Sequence, residues 1–219
     1  MPTYANIGLI TMQEINSIFY ILVLIMSVVI HEIAHGYAAL HYGDHTAEYQ
    51  GRLTLNPIKH LDLYGSVLLP IILIVTNAPF LIGWAKPVPY NPDNFKPEER
   101  RVASIWVASA GILANLAIVA FFSVVIRLSN VLTFIPESFI PLAGVIVLLN
   151  IVLAMFNLIP IPPLDGSKIL FGLLGYKAHR FERFFEKYSI LILLFFVFFI
   201  WQFITPVVYS LFSILTGLS

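Results

Sequence analysis

The stretch Ile18-Phe-Tyr-Ile-Leu-Val-Leu-Ile-Met-Ser-Val-Val-Ile30-His31-Glu32-Ile33-Ala34-His35-Gly-Tyr-Ala-Ala-Leu40 decides the fold. A spanning helix needs about 20 apolar residues, and this block has that length. The pattern predicts one helix over residues 15–42, ended by Gly43 in the C-cap position. His31 lies 13 residues beyond Ile18, about 20 Å along a helix. Three ionisable groups thus fall within five residues of a membrane helix, where such groups are costly and mark function.

The rest of the chain agrees with a membrane setting. Of 219 residues, 59% are hydrophobic and 11% charged, against roughly 45–50% and 25% in soluble domains. Mean hydropathy is +0.89. These figures argue against a soluble globular domain and against disorder. Lys+Arg and Asp+Glu both number 12, so no nucleic-acid partner is expected. The absence of cysteine removes disulfides and Cys-based metal or redox sites. Residues 1–17 hold no Lys or Arg, and no small-residue cleavage site follows the apolar run, so no signal peptide is expected. The expected fold class is an all-α polytopic membrane protein. It is read as a single membrane-embedded domain over 1–219, with a core at about 15–170 and a C-terminal helix at about 189–218.

Further apolar blocks occupy 65–83, 104–128, 139–159 and 189–218. The second contains Pro70, Asn77 and Pro79 and runs into Trp84-Ala-Lys-Pro-Val-Pro-Tyr-Asn-Pro92, a spacing poor for helix and good for extended chain. Pro206 interrupts the last block, which reads as one long kinked helix. Cations favour cytoplasmic loops. If 65–83 crosses the bilayer, the two sides hold 9 and 3 cations; if it dips in and returns, they hold 11 and 1. The second arrangement is cleaner. About four spanning helices plus a re-entrant or partly inserted segment with extended chain are therefore expected, multi-pass in the cell membrane. The N-terminus would be outside and the charged loops cytoplasmic.

His31-Glu32-Ile33-Ala34-His35 is the HExxH pattern. On a helix, positions i and i+4 share a face, so both imidazoles can bind one metal ion. Glu32 lies about 100° around the helix from His31, where it can reach a water on the metal as general base. Zinc held by two histidines needs a third protein ligand and an open position. The best candidate is Asp165 in Asn157-Leu-Ile-Pro160-Ile-Pro162-Pro163-Leu164-Asp165-Gly166. The prolines break the helix there, and Gly166 permits a tight turn after the carboxylate. The alternative is that Asp165 caps the next helix.

These residues carry a resemblance. The chain resembles the site-2 protease family of intramembrane zinc metalloproteases, with its HExxH as His31, Glu32 and His35 and its N-x-x-P…D-G segment as Asn157, Pro160, Asp165 and Gly166. The runs Gly43-Asp44, Gly51-Arg-Leu-Thr-Leu-Asn-Pro57 and Gly83-Trp84-Ala-Lys-Pro-Val-Pro89 resemble the compact prokaryotic branch without a PDZ domain. The resemblance implies peptide-bond hydrolysis inside the bilayer, with one Zn2+ held by His31, His35 and Asp165 and with Glu32 as base. Family members commonly show Gly-Pro followed by Asn in the third helix; here Gly111 is followed by Ile112, with Asn115 further along.

Among the remaining polar residues, Asn115 reads either as an interhelical hydrogen bond or as a donor to substrate. Asn157 reads as a substrate contact, and His60 could approach the metal cavity. Lys86, Pro87 and Val88 belong to an extended run that could add a strand to an unwound substrate. The expected partners are a transmembrane protein substrate and the lipid bilayer. Two other readings are weighed. One is a membrane metalloprotease of the prenyl-protein-processing kind, for which Glu182 and Glu186 are poor second-ligand candidates. The other is a non-catalytic metal-binding or transport protein, against which the ionisable groups concentrate on one helix and one loop.

Overall fold

The computed structural model describes residues 17–76, 84–129, 131 and 135–218. The start of the first expected helix (15–16), the tip of the doubling-back segment (77–83) and part of the loop after the third block (130, 132–134) lie outside the described residues. No strand occurs among the described residues. The elements used below are α1 (Ser17–His41), α2 (Thr46–Tyr49), α3 (Leu69–Val75), α4 (Arg100–Leu128), α5 (Phe139–Asn157), α6 (Asp165–Leu174), α7 (His179–Lys187), α8 (Ser189–Phe195) and α9 (Trp201–Thr216). Four helical runs are long and apolar enough to cross a membrane: Phe19–His41, Arg100–Leu128, Phe139–Asn157 and Ser189–Thr216. The last is continuous through Pro206, with a π-helical stretch at Phe196–Ile200 joining α8 to α9. In hydrocarbon every backbone group must be satisfied within its own segment, which is why the apolar blocks are helices.

The centre of the fold is α4, which packs against α1, α5, α6 and α9. Its buried face recurs every four residues as Ala103, Val107, Gly111, Asn115, Val119 and Ser123. Its larger residues Trp106, Leu113, Leu116, Phe121 and Val124 face outward. Lipid is as apolar as leucine, so large side chains gain little by turning inward, whereas small ones let backbones approach. Polar groups then join the helices, as where Asn150 Nδ2 on α5 donates to Ser27 Oγ on α1 at 2.9 Å.

Two arginines at opposite ends of α4 tie down helix C-termini, whose last carbonyls lack helical partners. Arg101 donates to the Gly172 and Leu173 carbonyls of α6. Arg127, the lone cation between the third and fourth blocks, donates to the Ile214 and Leu215 carbonyls of α9. With His31 and Asp165 meeting mid-way along α4, these contacts make α1 and α6 antiparallel to α4.

The doubtful second block doubles back. Asp62 caps it by accepting from the Tyr64 and Gly65 amides at 3.0 and 2.7 Å. A π-helical stretch at Leu63–Leu68 leads into α3. The chain then returns beside its point of departure: Trp84 N–H donates to the Gly65 carbonyl at 3.3 Å and Lys86 N–H to the His60 carbonyl at 2.8 Å. A Cβ on Gly65 would lie 2.3 Å from the Trp84 indole, so any other residue there would displace that ring from the neck between the two limbs.

Residues 84–91 have no helical structure and are held from outside. Arg52 Nη2 donates to the Lys86 and Pro87 carbonyls at 2.8 and 3.1 Å. Buried Asp44 accepts from Asn91 N–H at 2.6 Å, Asn94 Nδ2 at 2.6 Å and both Thr46 N–H and Oγ1. Burial by itself raises the Asp44 pKa, but these four hydrogen bonds outweigh it and hold the carboxyl below its usual range.

The chain has no cysteine of its own, so single cysteines report sidedness directly. Cysteines at Gln50 and Asn94 should label from the same membrane face and one at Glu137 from the opposite face. Labelling of Gln50 and Asn94 from different faces would contradict the doubled-back arrangement.

Candidate metal centre

One turn of α1 separates His31 from His35, and both imidazoles turn toward α4. His35 Nδ1 donates to the Val107 carbonyl at 2.6 Å, which fixes that tautomer and leaves Nε2 free as a ligand atom. His31 Nδ1 lies 3.2 Å from the Asn115 side-chain amide. The Asn115 amide nitrogen faces the ring while its oxygen, also buried, has no partner. Amide O and N are interchangeable by a flip. The flipped orientation lets Oδ1 accept Nδ1–H and frees His31 Nε2, as a metal ligand requires.

Gly111 makes the space. A Cβ there would lie 2.5–2.6 Å from His31 Cε1, His31 Nε2 and His35 Nε2. Asp165 arrives from the other direction. Helix α5 ends at Asn157, and Ile159, Ile161 and Leu164 pack with Phe196, anchoring the turn that delivers the carboxylate. Asp165 is the first residue of α6, and its side chain makes no cap; the capping alternative does not describe it. Gly166 is helical and not a tight turn. Its missing side chain matters because a Cβ would meet the Leu158 carbonyl oxygen at 2.2 Å, so glycine admits that strand of backbone against α6.

The three ligand atoms form a near-equilateral triangle. His31 Nε2 to Asp165 Oδ2 is 3.0 Å, His35 Nε2 to Asp165 Oδ2 is 3.1 Å, and the two Nε2 atoms are 3.0 Å apart. All three residues are buried. Tetrahedral zinc with bonds near 2.0–2.1 Å sets ligand atoms about 3.3 Å apart, so an expansion of a few tenths of an ångström admits the ion. The donor chemistry also fits. Both imidazoles aim nitrogen lone pairs at one carboxylate oxygen, an arrangement that a shared cation relieves. The site lies at the level of Gly111, ten residues inside Arg101, about 15 Å along α4 from that residue.

A cavity of about 130 Å³ opens on this cluster, lined also by Glu32, Pro87, Val88, Tyr90, Asn157, Pro163 and Lys168. Glu32 Oε2 accepts from Val88 N–H at 2.7 Å, so the extended segment forms one wall and touches the glutamate. Gly36 admits that wall: a Cβ there would meet Val88 Cγ1 at 2.9 Å. Asn157 borders the cavity while its Nδ2 donates to the Leu153 carbonyl at 3.0 Å. Lys86 points its amide to His60 and is not among the lining residues. Asn115 lies behind His31 and does not line the cavity either. His60 is not brought to the site: it is buried in the preceding loop, its Nε2 2.9 Å from the Thr54 carbonyl oxygen. No site role was read from the sequence for Gly111, Arg52 or Lys168. Lys168 did leave a signal, since it stands one helical turn beyond Asp165 and therefore on its face, and Gly111 holds the glycine of the family's third-helix pattern.

Residues 133–200, which include the Asn157-to-Gly166 segment, match peptidase family M50. Over 195 residues, 86% of this chain and 81% of the relative, the sequence is 38% identical to YwhC of Bacillus subtilis (strain 168), provisionally named a zinc metalloprotease.

The chain belongs to peptidase family M50.

Two further relatives, both called Rip2 and named in the same terms, come from Mycolicibacterium smegmatis (31% over 144 residues, 65% of this chain and 52% of the relative) and Mycobacterium tuberculosis H37Rv (32% over 148 residues, 67% and 53%). The chain therefore spans about half of the Rip2 proteins. No solved structure matches. M50 is the site-2 protease family, so this M50 peptidase is a zinc metalloprotease of the membrane.

Gly111 gives a test that leaves every ligand in place. Gly111→Ala should weaken zinc binding by about 10–100-fold, as changes beside ligands do. Gly144→Ala on α5, where a Cβ meets nothing closer than 3.6 Å, should leave zinc unchanged. Equal zinc content in the wild type and Gly111→Ala, measured by metal analysis after dialysis, would contradict the placement of the imidazoles.

Proposed function

We propose that this M50 peptidase is an intramembrane endopeptidase that hydrolyses peptide bonds in or near transmembrane segments of membrane proteins. The observation that carries this reading is the depth of the His31–His35–Asp165 cluster, about 15 Å along α4 from Arg101, in a helix long and apolar enough to cross a membrane. A peptide bond reaching that level lies within the hydrocarbon layer, so the substrate is a membrane-embedded chain. His31, His35 and Asp165 are the residues that hold the zinc. When bound, the ion polarises the scissile carbonyl and lowers the pKa of the attacking water toward ~7.

The remaining chemistry belongs to the protein. Glu32 is the general base: it takes a proton from the attacking water and hands it to the leaving amine nitrogen. The Val88 N–H on Oε2 orients this carboxylate and leaves Oε1 available for the proton. The backbone of a helical substrate is already hydrogen-bonded, so it must unwind locally to enter the cavity. Pro87 and Val88 line the cavity as extended chain; the Lys86 and Val88 N–H groups and the Lys86 and Pro87 carbonyls hold that chain in place, and the Val88 carbonyl is the main-chain acceptor left for an unwound strand beside Lys86–Val88. Asn157, at the cavity edge, is positioned to contact substrate. The cation distribution of 11 against 1 puts the charged loops in the cytoplasm and the N-terminus outside, with the protein in the cell membrane.

The test is a pair of variants in reconstituted vesicles with a transmembrane peptide substrate. Glu32→Gln should retain zinc and lose about 10²–10⁴-fold in cleavage, the usual contribution of a general base. Asp165→Asn should weaken zinc binding and lose cleavage. Cleavage by Glu32→Gln at the wild-type rate would reject the assignment.

A further inference from the structure

The assignment of Glu32 as base and of three zinc ligands leaves one charge in the cavity unused. Lys168 is the only lysine or arginine among the described residues lining it. It stands on α6, one turn beyond Asp165, so the helix that delivers the ligand also delivers the cation. Its Nζ is 3.6 Å from Asp165 Oδ1, the oxygen turned away from the histidines. Charge-assisted N–H···O bonds are shorter, about 2.7–2.9 Å, so the ammonium is not committed to that carboxylate. Its other neighbour is the Tyr90 ring, 5.7 Å from Nζ to the centroid, near the outer limit of about 6 Å for a cation over a ring. Lys168 therefore spans from the core helix to the extended wall with two loose partners and donors to spare. Its side chain is 46% exposed, open to whatever occupies the cavity.

Among the other donors at the cavity, Val88 N–H is on Glu32, Asn157 keeps one amide N–H beyond the one it gives the Leu153 carbonyl, and Tyr90 carries a phenol; these are neutral, and Lys168 alone among the described lining residues donates from a side-chain cation. The charges also point to a need. Zinc brings two positive charges, and Asp165 and Glu32 bring two negative ones. Addition of water to the scissile carbonyl creates a further negative charge on oxygen, beside buried groups where charge is less screened than in water.

We propose that Lys168 is a second electrophile of this peptidase, donating from its ammonium to the oxyanion that forms at the scissile carbonyl; this rests on the zinc endopeptidase reading above. As the water oxygen bonds to the carbonyl carbon, the carbonyl π pair moves to oxygen and the water proton passes to Glu32. Collapse breaks the C–N bond, and the proton moves from Glu32 to the amine. Lys168 keeps its own protons throughout and acts by hydrogen bonding and charge.

The experiment compares zinc-loaded wild type, Lys168→Met and Lys168→Arg in vesicles. It reads zinc content, kcat and KM on a transmembrane peptide, and affinity for two peptide probes: a hydroxamate, which binds the metal without an anionic tetrahedral centre, and a phosphinate, which carries one. Lys168→Met should keep zinc and hydroxamate affinity. It should lose about 10²–10³-fold in kcat at similar KM, as other oxyanion donors do, and weaken the phosphinate selectively. Lys168→Arg should recover most of both losses. Unchanged kcat, parallel weakening of both probes, or loss of zinc in Lys168→Met would overturn the proposal; the last would make Lys168 a support for Asp165. A wild type that takes up no zinc would instead overturn the endopeptidase reading on which this one stands.

Discussion

Three buried ligand atoms about 3 Å apart, carried by two histidines and one aspartate deep in a membrane bundle, set the constraint that the rest of the fold satisfies. Such groups are costly in hydrocarbon unless they share a charge. Bringing them together requires α1 and the α5–α6 junction to reach the same depth from the same direction. With α4 running opposite to both, the chain between α1 and α4 must begin and end on one face. The doubled-back segment is the consequence, closed at its neck by Trp84 N–H on the Gly65 carbonyl and Lys86 N–H on the His60 carbonyl. The small-residue face of α4 is another consequence, because only glycine at 111 leaves room for the two imidazoles.

The loops are part of the site and not covering for it. Arg52 and Asp44 hold residues 84–91 by main-chain groups, and that segment presents Val88 N–H to Glu32. One chain of contacts thus runs from the polar loops after α1 to the glutamate of the cavity. On the other side α6 carries Asp165 and Lys168 together, and Arg101 fixes its far end. The cavity lies between a wall tied to the loops and a helix tied to the bundle.

Much of this was legible in the sequence, for specific reasons. HExxH in a membrane helix is a local pattern whose cost is visible from composition alone, and Asp165 stood out as the carboxylate after a proline-broken helix. Doubling back was legible from charge placement and from the proline spacing. Other features were not. Arg52 reaches carbonyls 34 and 35 residues away, and a carbonyl has no side-chain identity to betray it. Asn115 has a polar side chain in an apolar helix, but which residue it faces depends on how α4 rotates against α1. His60 misled because it is near the doubled-back segment in sequence, yet its ring turns into its own loop. Gly166 was read as a turn residue, whereas it is a close approach inside a helix, a role that only the packing reveals.

The whole arrangement turns on one zinc ion shared by two imidazoles of α1 and the carboxylate that opens α6. X-ray absorption at the zinc edge on the purified membrane protein reads that ligand set, since the chain offers no sulfur ligand from cysteine. The spectrum should show a four-coordinate ion with two imidazoles and ligand distances near 2.0–2.2 Å, and with zinc in excess Asp165→Ala should lose one protein oxygen while both imidazoles remain. A six-coordinate oxygen shell, fewer than two imidazoles, or a spectrum unchanged by Asp165→Ala would contradict that ligand set.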